Sequence, residues 1–369
     1  MRVLLCGGGT AGHVMPAIAM GEIIEKNFKN SEIAFAGRVG GDENRAYEKS
    51  GHKLYTLDIS GLRRSLSINN VKSIIKIIKS GRKAIEIIND FKPDIIIGTG
   101  GYVCYPFIRQ GQRLGIKTML HESNVAPGLV TKLLHRKCDK VMLNLEGTKK
   151  HLSGAKNTVV VGNPIRSDFG KISKAEARRC LGIREEETLI VSFGGSLGAD
   201  LLNRTVCEMI KDYTLGDKKI RHIHSTGKSH FQEIKSAYPM LFEGARNVKI
   251  LPYIDNMPTL LIAADIAITR SGAMTISEIC RCRAPSILIP SPNVTANHQY
   301  LNAEYLKGLG AAVLIEEKSL TPNKLYGEIR ALVSSPERMN KMSRRTRSAY
   351  KKDTESEIIR VLRETVANR

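Results

Sequence analysis

The sequence predicts an α/β protein made of two Rossmann-like, parallel-sheet domains, and three observations carry that expectation. Short apolar runs alternate with helical patterns, as βαβ units require. The glycine turn GGGTAGH follows the first apolar run, RVLLC, and the plan restarts near residue 188 with GGSLGAD after TLIVSF. A length of 369 residues suits two domains.

Along the chain, RVLLC reads as a strand and HVMPAIAMGEIIEK as the helix after it. EIAFAG, DIIIG, KTMLH and KVMLN read as further strands separated by helical stretches. The segment VVVGNPIRSDFG is the expected hinge, because Asn163-Pro164 punctuates the chain there. In the second half TLIVSF is a strand, LLNRTVCEMI a helix, and KIRHIHS, NVKIL, DIAIT, PSILI and AAVLI are strands. The tail from about 337 reads as helical and basic. The expected domains are 1–164 and 165–345, with a final helix at about 346–369 returning to the first and the glycine loops of both facing a deep cleft.

Composition narrows the class. The chain is 42% hydrophobic and 25% charged, a globular mixture that excludes collagen-like and disordered readings. No apolar run approaches the ~18 residues of a spanning helix. The start MRVLLCGGGT is too short in apolar residues for a signal peptide, so a cytoplasmic protein is expected. Seven cysteines without paired spacing point to reduced thiols. Lysine and arginine number 57 against 36 acidic residues, a formal net charge of +21. Such an excess implies a negative partner: nucleic acid, an anionic membrane, or phosphorylated substrates. A nucleic-acid module would interleave aromatics with its charge for stacking, yet the chain has no Trp and 5% aromatics.

Gly7, Gly9 and Gly12 match G-x-G-x-x-G between a strand and a helix, and a helix N-terminus there suits a diphosphate. A dinucleotide enzyme would also place an acid at the end of the second strand. That strand ends Ala36-Gly37-Arg38, which disfavours NAD and leaves an NADP oxidoreductase as an alternative. Gly98, Gly100 and Gly101, then Gly194, Gly195 and Gly198, then Gly272 also sit at carboxyl ends of expected strands, where open α/β sheets bind ligands. Ser196 lies where a phosphate could meet a hydroxyl and a helix start.

His13 stands at the start of the first helix, whose positive end opposes protonation, so it is a candidate general base. His121, Glu122 and Asn124 could orient a ligand. His222 and His224 share one strand face and read as structural. Cys280 and Cys282 point to different sides of a helix and form no zinc knuckle. Glu278 is a lone acid near a helix start, able to accept two ribose hydroxyls. There is no D-x-D triplet, so a diphosphate here would be neutralised by helix ends and cations, with no metal or other cofactor.

Seven motifs in order, GGGTAGHVMPA, GTGGYV, HESN, GNPIR, GGSLGA, RSGAMTISE and NHQYLNA, resemble those of the MurG family of N-acetylglucosaminyltransferases over nearly the whole chain. The resemblance implies a GT-B fold and an inverting transfer of GlcNAc from UDP-GlcNAc to the 4-hydroxyl of lipid I (undecaprenyl-diphospho-MurNAc-pentapeptide), giving lipid II in peptidoglycan synthesis. It implies that Ser196 meets the diphosphate, Ile254 the uracil and Glu278 the ribose. Ala273, Met274 and Thr275 would line the phosphate and ribose turn, and Gln299 with His298 would touch the sugar. Thr10, Ala11, Gly12, Asn124 and Arg166 would complete the donor site, and His13 would be the base. Ala11, Ser123 and Tyr105 depart from the family's usual residues.

An acceptor with a lipid tail implies a peripheral position on the cytoplasmic face of the membrane. Segment 68–79, INNVKSIIKIIK, places Ile68, Val71, Ile74, Ile75 and Ile78 on one helical face. Lys72, Lys76 and Lys79 flank that face, and Ile77 falls off it. The face is expected to pack on the sheet, while Leu66, Ile77 and the three lysines meet the anionic inner leaflet.

Overall fold

The computed structural model describes residues 1–41, 44–59, 68–166, 168–195, 198–243, 246–294 and 297–367, apart from the side chains of Ala11 and of residues 68–78. The chain divides into two units, residues 1–165 with 351–369, and residues 166–350.

The first unit is built on RVLLC. Val3, Leu4, Leu5 and Cys6 of β1 (Arg2–Gly7) are all fully buried, as an unbroken apolar run demands when helices cover both faces of a parallel sheet. Val3 and Leu5 join Val14, Met20 and Ile24 of α1 (Ala11–Asn27) in one core. Leu4 and Cys6 join the core on the other face, with Ile87 and Phe91 of α3 (Ile68–Phe91) and Phe107 of α4 (Cys104–Arg113). The described strands run β3-β2-β1-β4-β5-β6-β7, all parallel. Here β2 is Glu32–Arg38, β3 Lys53–Leu57, β4 Ile95–Gly100, β5 Lys117–Glu122, β6 Lys140–Leu143 and β7 Thr158–Val160. Sequence patterning misses β3 and β7. Both are short edge strands, and neither has the fully buried run that marks the others.

Residues 351–369 close this unit. Ile358, Val361 and Leu362 of α14 (Thr354–Ala367) are fully buried in the core that holds Met20 and Ile24. Glu355 adds a 2.8 Å ion pair to Lys26 and accepts a bond from Asn27.

The second unit repeats the connectivity: its strands run β10-β9-β8-β11-β12-β13, again all parallel. They are β8 (Thr188–Phe193), β9 (Ile220–Ser225), β10 (Val248–Leu251), β11 (Ile266–Thr269), β12 (Ser286–Leu288) and β13 (Ala312–Leu314). In each sheet the strand order reverses at one point, between β1 and β4 and between β8 and β11. Loops leaving the carboxyl ends of those strands diverge and open a crevice.

His222 and His224 are structural, as their alternation predicts. Both are fully buried, and both ring nitrogens facing Ser192 lie within hydrogen-bond reach of its hydroxyl, at 2.8 Å and 2.7 Å. Burial lowers their protonation to about pH 3 and about pH 4. The unfolded chain would take up these protons near pH 6.5, so the stability is full above that value and falls as pH drops towards 4. Urea unfolding of the wild type should therefore lose about 2.7 kcal/mol per pH unit in this window for the two sites. The His222→Asn/His224→Asn variant should lose that component of the slope; an unchanged slope would refute the assignment.

Candidate active site

In the first unit the chain leaves β1 at Gly7 and enters α1 through Thr10, an extended N-cap residue. The turn is packed against the end of β4. A Cβ on Gly7 would fall 2.5 Å from the Thr99 hydroxyl and 2.7 Å from the His13 carbonyl oxygen. Gly101 has a φ of +82°, and a Cβ there would fall 2.0 Å from the Gly8 carbonyl oxygen. Only glycine fits such an approach.

This packing sets the His13 side chain. Its Nδ1 lies 3.0 Å from the Gly8 carbonyl oxygen, with the Thr10 hydroxyl at 3.3 Å. A carbonyl only accepts, so Nδ1 carries the proton of the neutral ring and Nε2 carries the lone pair. That is the tautomer a base needs at Nε2. Three residues that sequence reasoning passed over hold the arrangement. The Thr99 hydroxyl lies 2.7 Å from the His13 carbonyl oxygen, Tyr47 donates to the Gly7 carbonyl at 3.0 Å, and the Gly100 N–H donates to Cys104 Sγ at 3.2 Å. Thr99 stood between glycines in GTGG and could have been suspected; Tyr47 left no signal. Burial pushes the Cys104 thiol up to about 12, so it packs without reacting.

Asn124 follows β5 on the same sheet edge. Glu122, read from sequence as a ligand-orienting acid, instead holds this loop. Its carboxylate accepts from the Asn124 and Gly128 N–H groups at 3.1 and 2.9 Å and from the Thr131 hydroxyl at 2.7 Å. His121 is likewise internal: its Nε2 lies 2.9 Å from the Gly162 carbonyl oxygen, and burial lowers its affinity for a proton. Their ligand role is corrected to a scaffolding one.

In the second unit, β8 ends in a turn of the same kind. A Cβ on Gly194 would fall 2.6 Å from the Ala199 nitrogen, and one on Gly198 (φ +80°) 2.1 Å from the Thr226 carbonyl oxygen. Gly195 (φ +92°) has open space where its Cβ would lie. Ser196 lies outside the described residues, as does the side chain of Ala11.

Beyond β11, Gly272 caps α10 (Ala273–Cys282), which carries Ala273, Met274, Thr275 and Glu278. Gly12, the second residue of the first unit's α1, has among the described residues only the Thr10 hydroxyl, at 3.6 Å, near its would-be Cβ. Glu278 is half-buried; desolvation pushes its carboxyl up to about 7, against the pull of Arg166 and with the repulsion of Asp168. Arg166 pairs with Asp168 at 3.5 Å and stacks over Phe169. Next to this turn, α11 (His298–Gly308) begins with His298 and Gln299. The Gln299 carbonyl accepts from the Ser271 hydroxyl at 2.8 Å, and its side-chain oxygen accepts from the Ser291 N–H at 2.9 Å. Ile254 lies in the loop after β10 and is buried.

Thus the structure gathers Thr10, Gly12 and His13 at one switch point. Arg166, the α10 residues, His298 and Gln299 gather around the other unit's carboxyl edge. Leu66 lies outside the described residues, as do the side chains of Lys72, Lys76 and Ile77; Lys79 is exposed on α3. Among the described residues one cluster, Asp200, His230 and Glu233, has cation-ligand geometry. Arg204 bonds both of its carboxylates and supplies the positive charge itself.

Residues 3–143 match the glycosyltransferase family 28 N-terminal domain and residues 189–358 the family 28 C-terminal domain. The chain is 39% identical over 364 residues to a Thermoanaerobacter sp. (strain X514) protein, covering 98% of this chain and 99% of that one. It is 37% identical to an Acetivibrio thermocellus protein over 369 residues, covering 100% and 99%. Both bear the name UDP-N-acetylglucosamine–N-acetylmuramyl-(pentapeptide) pyrophosphoryl-undecaprenol N-acetylglucosamine transferase. The fold is that of Acinetobacter baumannii MurG, with a TM-score of 0.77 at 23% identity over 98% of this chain and 99% of that one. It is also that of the Neisseria meningitidis UDP-GlcNAc 2-epimerase, with a TM-score of 0.66 at 14% identity over 99% and 100%.

A Cβ on Gly100 (φ +123°) would fall 2.4 Å from His13 Cδ2. Gly100→Ala should displace the imidazole from the Gly8 carbonyl and cost about 1–3 kcal/mol of stability from the backbone alone. Ring ¹⁵N shifts should report loss of the single tautomer, and unaltered shifts would refute the clamp.

Proposed function

The chain belongs to the MurG family of glycosyltransferase family 28, and we propose that it performs the family reaction with His13 as base and the second unit as the donor-binding half. It has the GT-B fold and is a UDP-GlcNAc-dependent N-acetylglucosaminyltransferase of peptidoglycan synthesis. The acceptor is N-acetylmuramyl-(pentapeptide) pyrophosphoryl-undecaprenol, whose 4-hydroxyl attacks the anomeric carbon of the donor. One C–O bond forms as the bond to UDP breaks on the opposite face, so the configuration inverts. The hydroxyl proton passes to His13 Nε2. The observation that carries this reading is the Nδ1–H bond to the Gly8 carbonyl, which leaves the lone pair on Nε2.

The leaving diphosphate takes its neutralisation from N–H groups at the glycine turns, from the Ser196 hydroxyl and from the start of α10. Glu278 accepts the ribose hydroxyls, with Arg166 keeping that carboxyl ionisable. Ile254 meets the uracil. Ala273, Met274 and Thr275 line the turn, and His298 and Gln299 contact the sugar. Thr10, Ala11, Gly12 and Asn124 complete the site. No metal is needed in this scheme, because helix ends and cations offset the charge.

We further propose a peripheral position on the cytoplasmic face of the membrane. No described helix is long and apolar enough to cross a bilayer, while the acceptor's undecaprenyl tail is lipid-bound. Helix α5 (Leu129–Leu134) supports this placement. Leu129 and Leu133, one turn apart, are 51% and 61% exposed. Lys132, Arg136 and Lys137 surround them, all exposed. Exposed leucines among cations suit an anionic headgroup layer. Helices α3, α4 and α5 all contribute to the core on one face of the sheet, and exposed Lys79 of α3 joins this patch in the proposed contact. Leu66, Lys72, Lys76 and Ile77 are proposed for it from the sequence alone. Nucleic acid is no part of the proposal.

His13→Ala should fold normally and lose about 10²–10⁴ in kcat with a lipid I analogue, and near-wild-type turnover would refute the role. In the same assay EDTA should leave the wild-type rate unchanged. Binding to anionic vesicles should weaken with salt and should fall in both Lys72→Glu/Lys76→Glu/Lys79→Glu and Leu129→Ser/Leu133→Ser. Undiminished binding in both would remove this face from the membrane contact.

A further inference from the structure

The second unit has a cavity of about 470 Å³ that the transfer reaction does not use. Asp265 and Pro285, in its wall, immediately precede β11 and β12. The cavity therefore opens at the amino ends of these strands, whereas the glycine turns leave their carboxyl ends. Helix α10 connects the two edges. It begins at Gly272 and ends in the cavity at Arg281 and Cys282, ten residues or about 15 Å later.

The charge in this cavity is unbalanced. Its one carboxylate, Asp265, is already spent: it pairs with Lys174 at 2.6 Å and Arg178 at 2.7 Å and accepts the Leu189 N–H at 2.8 Å. Arg281 and Arg283 are different. Arg281 lies flat against Gly170, whose Cβ would fall 3.1 Å from its Cζ, and its cation faces the Tyr350 ring at 5.5 Å. Both contacts fix the guanidinium plane and use none of its N–H donors. Arg283 sits at the wall with a left-handed φ of 58°, where a helix normally ends in glycine. Neither guanidinium donates a hydrogen bond to another described residue. The Asn340 amide and the Ser343 side chain complete the polar wall.

We propose that this cavity binds a small phosphorylated anion, with the forks of Arg281 and Arg283 on its phosphoryl oxygens. Both arginines are exposed at the rim of the cavity, and two guanidiniums, that of Arg281 held in place, suit a tetrahedral oxyanion, since each presents paired donors. The neutralised Asp265 does not repel it. The volume exceeds that of a bare phosphate and falls within the range of small-molecule sites, so the ligand carries an organic part or a second phosphoryl group.

Calorimetric titration with sodium pyrophosphate, in saturating UDP so that the donor site is filled, tests the assignment. Inorganic phosphate is the second probe, and it should bind more weakly. Arg281→Gln/Arg283→Gln should weaken pyrophosphate binding by at least about tenfold, the loss of roughly one charged hydrogen-bond pair. Asn340→Trp keeps both charges and fills the space; it should abolish binding while preserving the melting temperature, and it decides the matter if the double variant fails to fold. No binding by the wild type at about 10 mM, an affinity weaker than any useful site, would overturn the proposal. Equal binding by the wild type and both variants would also overturn it.

Discussion

The structure depends on backbone passing backbone at distances that exclude a side chain. At the end of β4 the chain crosses the Gly8 carbonyl so closely that a Cβ on Gly101 would lie 2.0 Å from it, and Gly198 meets the Thr226 carbonyl in the same way. Each approach pins a strand end to a neighbouring turn and aims the next helix at the sheet edge. The His13 tautomer follows from this contact, because the carbonyl that fixes it is the one against which Gly101 packs. Chemistry and packing here share single atoms.

The architecture was legible because parallel strands covered on both faces leave uninterrupted apolar runs. RVLLC, DIIIG and TLIVSF could scarcely be anything else. The edge strands β3 and β7 were not legible, since half of an edge strand's surroundings are solvent or loop. Of the site, the glycine turns and His13 could be read directly, because their geometry needs those residue types. Glu122 and His121 misled: a carboxylate and an imidazole after a strand look the same whether they face a ligand or hold a loop. Their hydrogen bonds decide it, those of Glu122 to Gly128 and Thr131 in the loop that follows and that of His121 to Gly162, 41 residues on. Thr99 and Tyr47 escaped for a related reason, since each acts on a backbone carbonyl and so leaves no pattern of partners.

The charge excess acquires a structural meaning as well. Several acids are consumed inside the fold. Glu187 is buried between Arg184 and Arg221, Asp265 takes Lys174 and Arg178, and Glu317 takes Arg270. These three carboxylates face five cations, so the internal pairing is itself cation-rich, and the rest of the surplus falls on outer surfaces such as α5. A basic exterior of this sort concentrates anionic partners by long-range attraction, and salt weakens it.

The last helix has a consequence for the order in which the protein can be made. The second unit, residues 166–350, is a single continuous stretch inserted within the first. Most of the first unit is made before the second, yet its core lacks Ile358, Val361 and Leu362 until the second unit has been made. During synthesis the amino-terminal sheet must wait with an apolar face of α1 uncovered, while the later-made unit already has all of its chain. The domain translated first is the one completed last.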